Sequence, residues 1–316
     1  MGTVVPKMDL LPRQEALIVF PEHFPSFFHR AKGIIKLPLV CALSFSLLES
    51  AAMSVKSQNS NPIPFFSRGD LYSLILWLGA VLITVCVAAF SLIVVWPLSI
   101  LFDRKLSMMH RFTRLWAWLL IQSNPAWKVR VLGGEGLDHN KGYVIVANHQ
   151  SIADIAAVLY ALPLHFKFIS KKEIFRIPLM GWHMRGAGYL SLDRNSAESG
   201  KRILLESRCW LKENVGMLLF PEGTRSLDGQ IHAFKNGAFK LAHDQGVEIL
   251  PVVIDGTGDC VPKGTWKISK PAVFTVSIEK PAGFSDLLDE NMPGAVERIR
   301  QEMIARLSAI RAGKSL

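Results

Sequence analysis

The segment YVIVANHQSIAD, residues 143–154, decides the fold of this chain. Its first five residues are an apolar run that predicts a buried strand, and Asp154 opens a run of helical character. On one continuous helix, side chains five residues apart point about 140° away from each other. His149 and Asp154 can therefore meet only if His149 lies in the turn before the helix. That turn is at the carboxyl end of the strand, where open α/β sheets bind their ligands.

The spacing of His149 and Asp154 allows two interpretations. In the first, the carboxylate fixes one tautomer of the imidazole and stabilises its protonated form, as the orienting group of a general base does. In the second, the two side chains form a capping and packing pair at a turn. Short motifs also arise by chance, so the rest of the chain has to decide between the two interpretations.

After residue 124 the chain alternates between strand-like and helix-like runs. Several strand candidates are continuous apolar runs, which are typical of sheets buried on both faces. The pattern predicts an α/β fold with a central, mostly buried sheet of about seven strands flanked by helices. The predicted strands are 128–132, 143–147, 166–170, 189–192, 217–220, 249–254 and 274–278, and the predicted helices are 151–162, 196–214, 235–245 and 293–312.

A long apolar run precedes this α/β part of the chain. The run 71–102 contains no charged residue and exceeds the roughly 20 residues that cross a bilayer as one helix. Gly79 and Pro97 are candidate break points. One spanning helix with an interfacial tail and a shallow helical hairpin both fit the run. We therefore divide the chain into an N-terminal extension (1–69), a membrane-anchoring helical region (70–122) and an α/β domain (123–316).

The net charge of +10 restricts the class of partner. No nucleic-acid-binding module is recognisable, so nucleic acid is a disfavoured partner. An anionic bilayer leaflet and an anionic substrate both explain the charge. The positive-inside rule places everything after residue 103 in the cytoplasm, and four scattered cysteines suit a reducing compartment. We expect a protein of the inner (cytoplasmic) membrane whose α/β domain faces the cytoplasm.

The first 69 residues carry the least information. Lys32 and Lys36 precede a second apolar run, 37–48, which we interpret as a second membrane-associated segment or as an extension upstream of a true start at Met53. The stretch 56–68 is rich in Ser, Asn and Pro and predicts a linker.

Polar residues with affinity for phosphate follow two further predicted strands. In FPEGTRS, residues 220–226, Gly223 permits close backbone approach, Thr224 offers a hydroxyl and Arg225 a planar fork suited to phosphate. Glu222 could accept a hydrogen bond from a substrate hydroxyl or position Arg225. A strand-to-turn segment with a surface ion pair is the alternative interpretation. Arg194 ends another predicted strand and is a second phosphate candidate.

Two other segments near strand ends are less informative. Lys171 and Lys172 are expected to be solvated. The run 249–254 is too apolar to carry chemistry, so we expect it to form the wall of a site or only the core.

Taken together, these blocks make the chain resemble the glycerolipid acyltransferases, most closely the bacterial 1-acylglycerol-3-phosphate acyltransferases. The resemblance covers about residues 70–285 and follows the family's order: the Asn-His-x-x-x-x-Asp block (148–154), the block 171–194, FPEGTRS (220–226) and LPVVI (250–254). It implies a membrane-associated α/β domain that uses no metal and no bound cofactor. The long N-terminus departs from the family pattern.

The resemblance also implies a reaction. An acyl chain passes from a thioester of coenzyme A or acyl carrier protein to the sn-2 hydroxyl of 1-acylglycerol-3-phosphate, and the product is phosphatidic acid. His149 is then the general base and Asp154 its orienting group. Glu222, Arg225 and Arg194 hold the glycerol phosphate, together with the Gly223–Thr224 turn. Backbone amides near His149 or Gly223 are the candidate oxyanion donors.

Three alternatives remain open at this point. The acceptor is another lysolipid, such as a lyso-ornithine lipid or a lysophospholipid with a larger head group. The chain is a hydrolase, which the absence of a Gly-x-Ser-x-Gly nucleophile elbow disfavours. Finally, it is an inactive membrane-binding module.

Overall fold

The computed structural model describes residues 68–261, 266–268, 272–283 and 292–313. All of them belong to one compact unit, Asn61–Leu316. The predictions of a second membrane-associated segment, of a linker and of a start at Met53 fall on residues outside this described part. The division of the chain at residues 69 and 122 stays a prediction.

A seven-stranded sheet forms the centre of the unit, which confirms the predicted fold class. Its strands are β1 (Trp127–Gly133), β2 (Val144–Ala147), β3 (Phe166–Lys171), β4 (Leu190–Leu192), β5 (Gly216–Leu219), β6 (Ile249–Asp255) and β7 (Ala272–Ile278). Their order is β1-β7-β6-β2-β5-β3-β4. Every neighbouring pair is parallel except β6 and β7. The carboxyl ends of β2, β3, β4, β5 and β6 therefore share one edge of the sheet.

Helices cover both faces of this sheet. The four predicted helices are present as α4 (Asp154–Ala161), α6 (Ala197–Lys212), α7 (Gly237–Gln245) and α9 (Met292–Arg311). Two short helices, α5 (Met180–Gly186) and α8 (Thr257–Cys260), were not predicted, because seven and four residues are too few for a clear periodic pattern. The apolar stripe of α9 is core packing: Ile299 and Met303 are almost fully buried.

The apolar run forms one continuous helix. It comprises α1 (Arg68–Phe90), a π-helical stretch (Ser91–Val95) and α2 (Trp96–Phe102). Gly79 does not break it, and Pro97 follows directly after the π-helical stretch, where the regular i→i−4 hydrogen-bond ladder is already interrupted. The helix from Gly69 to Phe102 contains an 18-residue stretch with a mean hydropathy of 2.8, and by length and composition it is apolar enough to cross a membrane. It is the candidate membrane segment of the described chain.

Helix α3 (Ser107–Gln122) runs back alongside α1. Trp116 Nε1 donates to Thr84 Oγ1 at 2.9 Å, and Tyr72 Oη donates to Asn124 Oδ1 at 2.8 Å. The partner number falls from 124 to 116 while the α1 number rises from 72 to 84, so the two helices are antiparallel. The long apolar helix and α3 together form a helical hairpin on the described domain.

Candidate active site

The His149–Asp154 pair forms at the end of β2. Ala147 is the last residue of β2, His149 lies in the turn that follows it, and Asp154 is the first residue of α4. The distance from His149 Nδ1 to Asp154 Oδ2 is 2.7 Å. The two side chains meet in the way that the spacing requires, with the imidazole in the turn and the carboxylate on the first turn of the helix.

The Asp154 carboxylate is fully buried and accepts several further hydrogen bonds. Oδ2 also accepts from the backbone N–H of Gln150 at 2.7 Å and of Ser151 at 2.9 Å. Oδ1 accepts from the Thr257 hydroxyl. These donors fix the position of the carboxylate. As the acceptor for Nδ1, Asp154 keeps the proton of the neutral imidazole on that nitrogen.

The other ring nitrogen of His149 is open. Within the described residues, Nε2 has no hydrogen-bond partner, and the side chain is 20% exposed. One ring face stacks on Phe220, with ring centroids 4.2 Å apart. With the proton on Nδ1, the neutral imidazole presents a lone pair on Nε2 towards solvent, as a general base must.

Glu222 holds the backbone around His149. It follows β5, the neighbour of β2, and is largely buried. Its Oε1 accepts from the backbone N–H of His149 at 2.9 Å, and its Oε2 from that of His232 at 3.1 Å. Burial raises the pKa of Glu222, and the two backbone donors oppose this effect. The structure thus gives Glu222 a local task different from the expected pairing with Arg225; contact with a substrate hydroxyl stays a prediction.

The turn after Glu222 presents several unused donors. Gly223 has a φ of +72°. Among the described residues, the N–H groups of Thr224 and Arg225 have no acceptor, and the half-buried Arg225 guanidinium has no hydrogen bond or ion pair. Lys235 Nζ lies 2.8 Å from the place that a Cβ on Gly223 would occupy. Two free amides after a left-handed residue, with two cations beside them, form a concave site that favours an anion.

Arg194 lies farther along the same edge of the sheet. It follows β4, which is three strand positions from β2. With strands about 4.8 Å apart, the ends of β2 and β4 are separated by roughly 14 Å. Arg194 is exposed and has no partner among the described residues. Its neighbour Asp193 is bonded to Lys172 at 2.6 Å, so Lys172 is ion-paired and not simply solvated as expected.

Backbone amides near His149 and Gly223 stay the expected oxyanion donors, but among the described residues four of these amides already have acceptors. The N–H of His149 is bonded to Glu222, those of Gln150 and Ser151 are bonded to Asp154, and that of Gly223 is bonded to Phe220 O at 3.0 Å. Each of these hydrogens already has an acceptor. They fix the His149–Asp154 pair and the turn.

The sequence did not predict a role in the site for Lys235 or Thr257. Lys235 was predicted only to begin a helix, and nothing was predicted for Thr257. The run 249–254 was expected to be wall or core, and it is almost entirely buried. The available signal was the Gly256–Thr257 pair, because a glycine and a hydroxyl directly after a strand lie on the ligand-binding edge of the sheet.

Comparison with known proteins identifies the family. The sequence profile of the Acyltransferase family matches residues 128–255. A 1-acyl-sn-glycerol-3-phosphate acyltransferase of Chlamydomonas reinhardtii is 35% identical over 246 residues, which cover 77% of this chain and 73% of the algal protein. A chloroplastic protein of the same name from Arabidopsis thaliana is 39% identical over 187 residues, 58% of this chain and 52% of the plant protein. This chain thus spans only about half of the plant relative.

A solved structure agrees with these relatives. The crystal structure of the 1-acyl-sn-glycerophosphate acyltransferase PlsC from Thermotoga maritima is similar with a TM-score of 0.63 and 28% identity. The similarity covers 76% of this chain and 98% of that one. The family profile, the identity to the algal enzyme and the shared fold lead to one conclusion: this chain belongs to the acyltransferase family and is an O-acyltransferase.

Proposed function

We propose that this enzyme transfers a fatty acyl chain from acyl-CoA or an acyl carrier protein thioester to the sn-2 hydroxyl of 1-acylglycerol-3-phosphate, giving phosphatidic acid. The observation that carries the proposal is the 2.7 Å contact of His149 Nδ1 with the buried Asp154, which leaves Nε2 without a partner among the described residues. The names of the relatives support lysophosphatidic acid as the acceptor. Enzymes of this family need no cofactor.

The proposed reaction uses His149 twice. Nε2 takes the proton of the sn-2 hydroxyl as the oxygen attacks the thioester carbonyl carbon. The imidazolium that forms is stabilised by Asp154. When the tetrahedral intermediate collapses, the carbon–sulfur bond breaks, and the leaving thiolate takes the proton back from Nε2. The ester and the free thiol are the products, and His149 returns to its starting state.

The Gly223–Arg225 turn is the proposed phosphate site. The fork of Arg225 matches a phosphate in a bidentate manner, and the free amides of Thr224 and Arg225 add two donors. Lys235 brings a second positive charge to the same turn. Because β5 lies next to β2, a phosphate bound here has its glycerol beside His149. Arg194, about 14 Å away along the edge, is a more distant contact, to the donor or to the acceptor head group.

The helical hairpin gives the site access to a lysolipid substrate whose acyl chain lies in a bilayer. The long apolar helix exposes many large side chains, among them Leu78, Leu82 and Ile93. We propose that it anchors the enzyme in the inner (cytoplasmic) membrane, with the catalytic domain in the cytoplasm against the anionic leaflet. The net charge of +10 then attracts the enzyme to the anionic leaflet and the phosphate substrate to the enzyme. Nucleic acid is not proposed as a partner.

The function is tested by measuring acyl transfer from long-chain acyl-CoA to lysophosphatidic acid in detergent. Lysophosphatidylcholine and a lyso-ornithine lipid serve as parallel acceptors, and acyl-acyl carrier protein as a second donor. We expect phosphatidic acid as the dominant product, and we expect folded His149→Ala to lose at least 10²-fold in kcat, the range of general base catalysis. Transfer only to another lysolipid would overturn the acceptor, and substantial turnover by the His149→Ala enzyme would overturn the base.

A further inference from the structure

The two oxygens of the Asp154 carboxylate are held very differently. Oδ2 accepts from three donors, namely His149 Nδ1 and the backbone N–H groups of Gln150 and Ser151. Among the described residues, Oδ1 accepts from the Thr257 hydroxyl alone. Asp154 and Thr257 both have no exposed surface. Without the Thr257 hydroxyl, Oδ1 would be a buried charged oxygen without a partner, and such groups are costly.

The backbone before Thr257 is shaped to bring this hydroxyl to the carboxylate. Strand β6 ends at Asp255, and Gly256 has a φ of +82°. A Cβ on Gly256 would lie 2.2 Å from Val273 O, so no other residue fits this turn without displacing the backbone. Thr257 then begins the one-turn helix α8. The position of the hydroxyl is thus fixed by the end of a central strand.

A second set of bonds fastens the end of β6 to the segment that carries His149. The Asn148 side chain accepts from the N–H of Ile254 at 2.7 Å and donates to its carbonyl oxygen at 2.8 Å. Gln150 Nε2 donates to the same oxygen at 3.1 Å. The residues on either side of His149 are therefore tied to β6 by their side chains, and Thr257 follows three residues later. Movement of Thr257 relative to Asp154 is restricted from both sides.

We propose that Thr257 is a positioning residue of the acyl transfer, whose hydroxyl fixes Asp154 Oδ1 so that Oδ2 stays aimed at His149 Nδ1. The proposal rests on the proposed role of His149 as the base. Thr257 does not reach the open nitrogen of His149, so it acts only through the carboxylate. Its removal leaves Oδ1 without a partner and lets the carboxylate turn about the Cβ–Cγ bond, so that Oδ2 is no longer held towards His149 Nδ1.

The other titratable groups near this contact do not interfere with it. Cys260, on α8, is buried, and burial together with the nearby Asp154 charge raises the pKa of its thiol to about 12, so it is neutral in the working range. Glu222, after β5, approaches from the other side of His149 and bonds to backbone N–H groups. The remaining donors to Asp154 are backbone amides, which do not titrate.

The test compares Thr257→Val, which keeps the shape, with Thr257→Ser, which keeps the hydroxyl. We expect Thr257→Val to lower kcat by about 10–50-fold, the loss of one hydrogen bond to a charged group, with the KM of both substrates unchanged. Thr257→Ser should restore kcat to within about threefold of the parent, because it restores the donor to Oδ1.

Thr275→Val is the matched control, since Thr275 is another largely buried threonine, on β7, and gives no bond to Asp154. A parental kcat in folded Thr257→Val would overturn the inference, and so would a kcat that Thr257→Ser does not restore. If the valine variant does not fold, the serine variant and Thr257→Ala decide: equal activity of these two would also overturn it. His149→Ala, measured in parallel, distinguishes failure of the proposed function from failure of the inference on Thr257. An active His149→Ala enzyme would refute His149 as the base, independently of the result for the Thr257 variants.

Discussion

Asp154→Asn separates the charge of the carboxylate from its hydrogen bonds. An asparagine can direct its carbonyl oxygen at the three donors on the Oδ2 side, which are His149 Nδ1 and two backbone N–H groups. Its amide then faces Thr257, whose hydroxyl oxygen can accept as well as donate. Every polar atom of the site keeps a partner. We therefore expect the variant to fold and to lose mainly the negative charge.

The size of the effect follows from the geometry. With 2.7 Å between Nδ1 and Oδ2, the imidazolium and carboxylate charge centres are about 4 Å apart, where two unit charges interact by about 4 kcal/mol at an effective dielectric constant of 20. The 20% exposure of the His149 side chain reduces this value through solvent screening. A loss of about 2–4 kcal/mol in the stabilisation of the imidazolium corresponds to a kcat lower by roughly 30–1000-fold.

The assay is kcat with saturating acyl donor and lysophosphatidic acid, together with a thermal unfolding curve in the same detergent. Asp259→Asn is the control, because Asp259 is an exposed aspartate two residues beyond Thr257, and its loss should leave kcat unchanged. His149→Ala should cost more than Asp154→Asn, since it removes the base itself. Activity of Asp154→Asn at or above the parental level, in a folded protein, would refute the orienting role.

Three further predictions concern the phosphate site, the backbone and a buried lysine. Arg225→Lys should raise the KM for lysophosphatidic acid about 10-fold or more and leave the KM for the acyl donor unchanged, because lysine lacks the planar fork. Arg194→Lys should have a smaller effect. A raised KM for the acyl donor in Arg225→Lys would assign Arg225 to thioester binding instead. Gly256→Ala should lower the free energy of unfolding by about 2–4 kcal/mol, because alanine is strained at φ +82° and its Cβ would meet Val273 O. Gly200→Ala is the control: a Cβ there has no atom within 4 Å, so the change should be neutral or stabilising. Equal unfolding midpoints of the two variants would contradict this. Burial lowers the pKa of Lys167 from 10.5 to about 7. Between pH 7 and pH 10.5 the unfolded chain therefore binds a proton that the folded chain does not. The free energy of unfolding should rise with pH across this range by up to about 5 kcal/mol. Lys167→Met should lack the rise, and an identical pH dependence of denaturant midpoints in the two proteins would show that Lys167 is not the cause.

The fold was predictable because its signals are local. The strands are short runs of three to seven residues, most of them mainly apolar, and the pair of His149 and Asp154 lies within one strand-to-helix connection. Both are encoded in a few consecutive residues. The geometry of five residues on a helix was sufficient to place His149 in the turn and Asp154 on the helix.

The rest of the site was not predictable because it depends on which strands are neighbours. Asn148 bonds to Ile254, which is 106 residues away, and Thr257 reaches Asp154 over 103 residues. Nothing in the apolar run before Thr257 states that β6 lies beside β2. The same reason explains Glu222: its bonds to two backbone N–H groups become apparent only when β5 is placed next to β2.

Helix α4 connects the His149–Asp154 pair with the helical hairpin. Its first residue is Asp154, and near its other end the carbonyl oxygen of Leu159 accepts a hydrogen bond from Arg114 Nε of α3 at 3.1 Å. Helix α3 is the second arm of the hairpin whose first arm is the apolar helix. Eight residues of α-helix are about 12 Å long, so the carboxylate lies one short helix away from the hairpin. If the proposed function is correct, this length determines how far His149 lies from the surface of the leaflet. The acyl chain of a lysolipid then remains in the bilayer while its glycerol hydroxyl reaches Nε2.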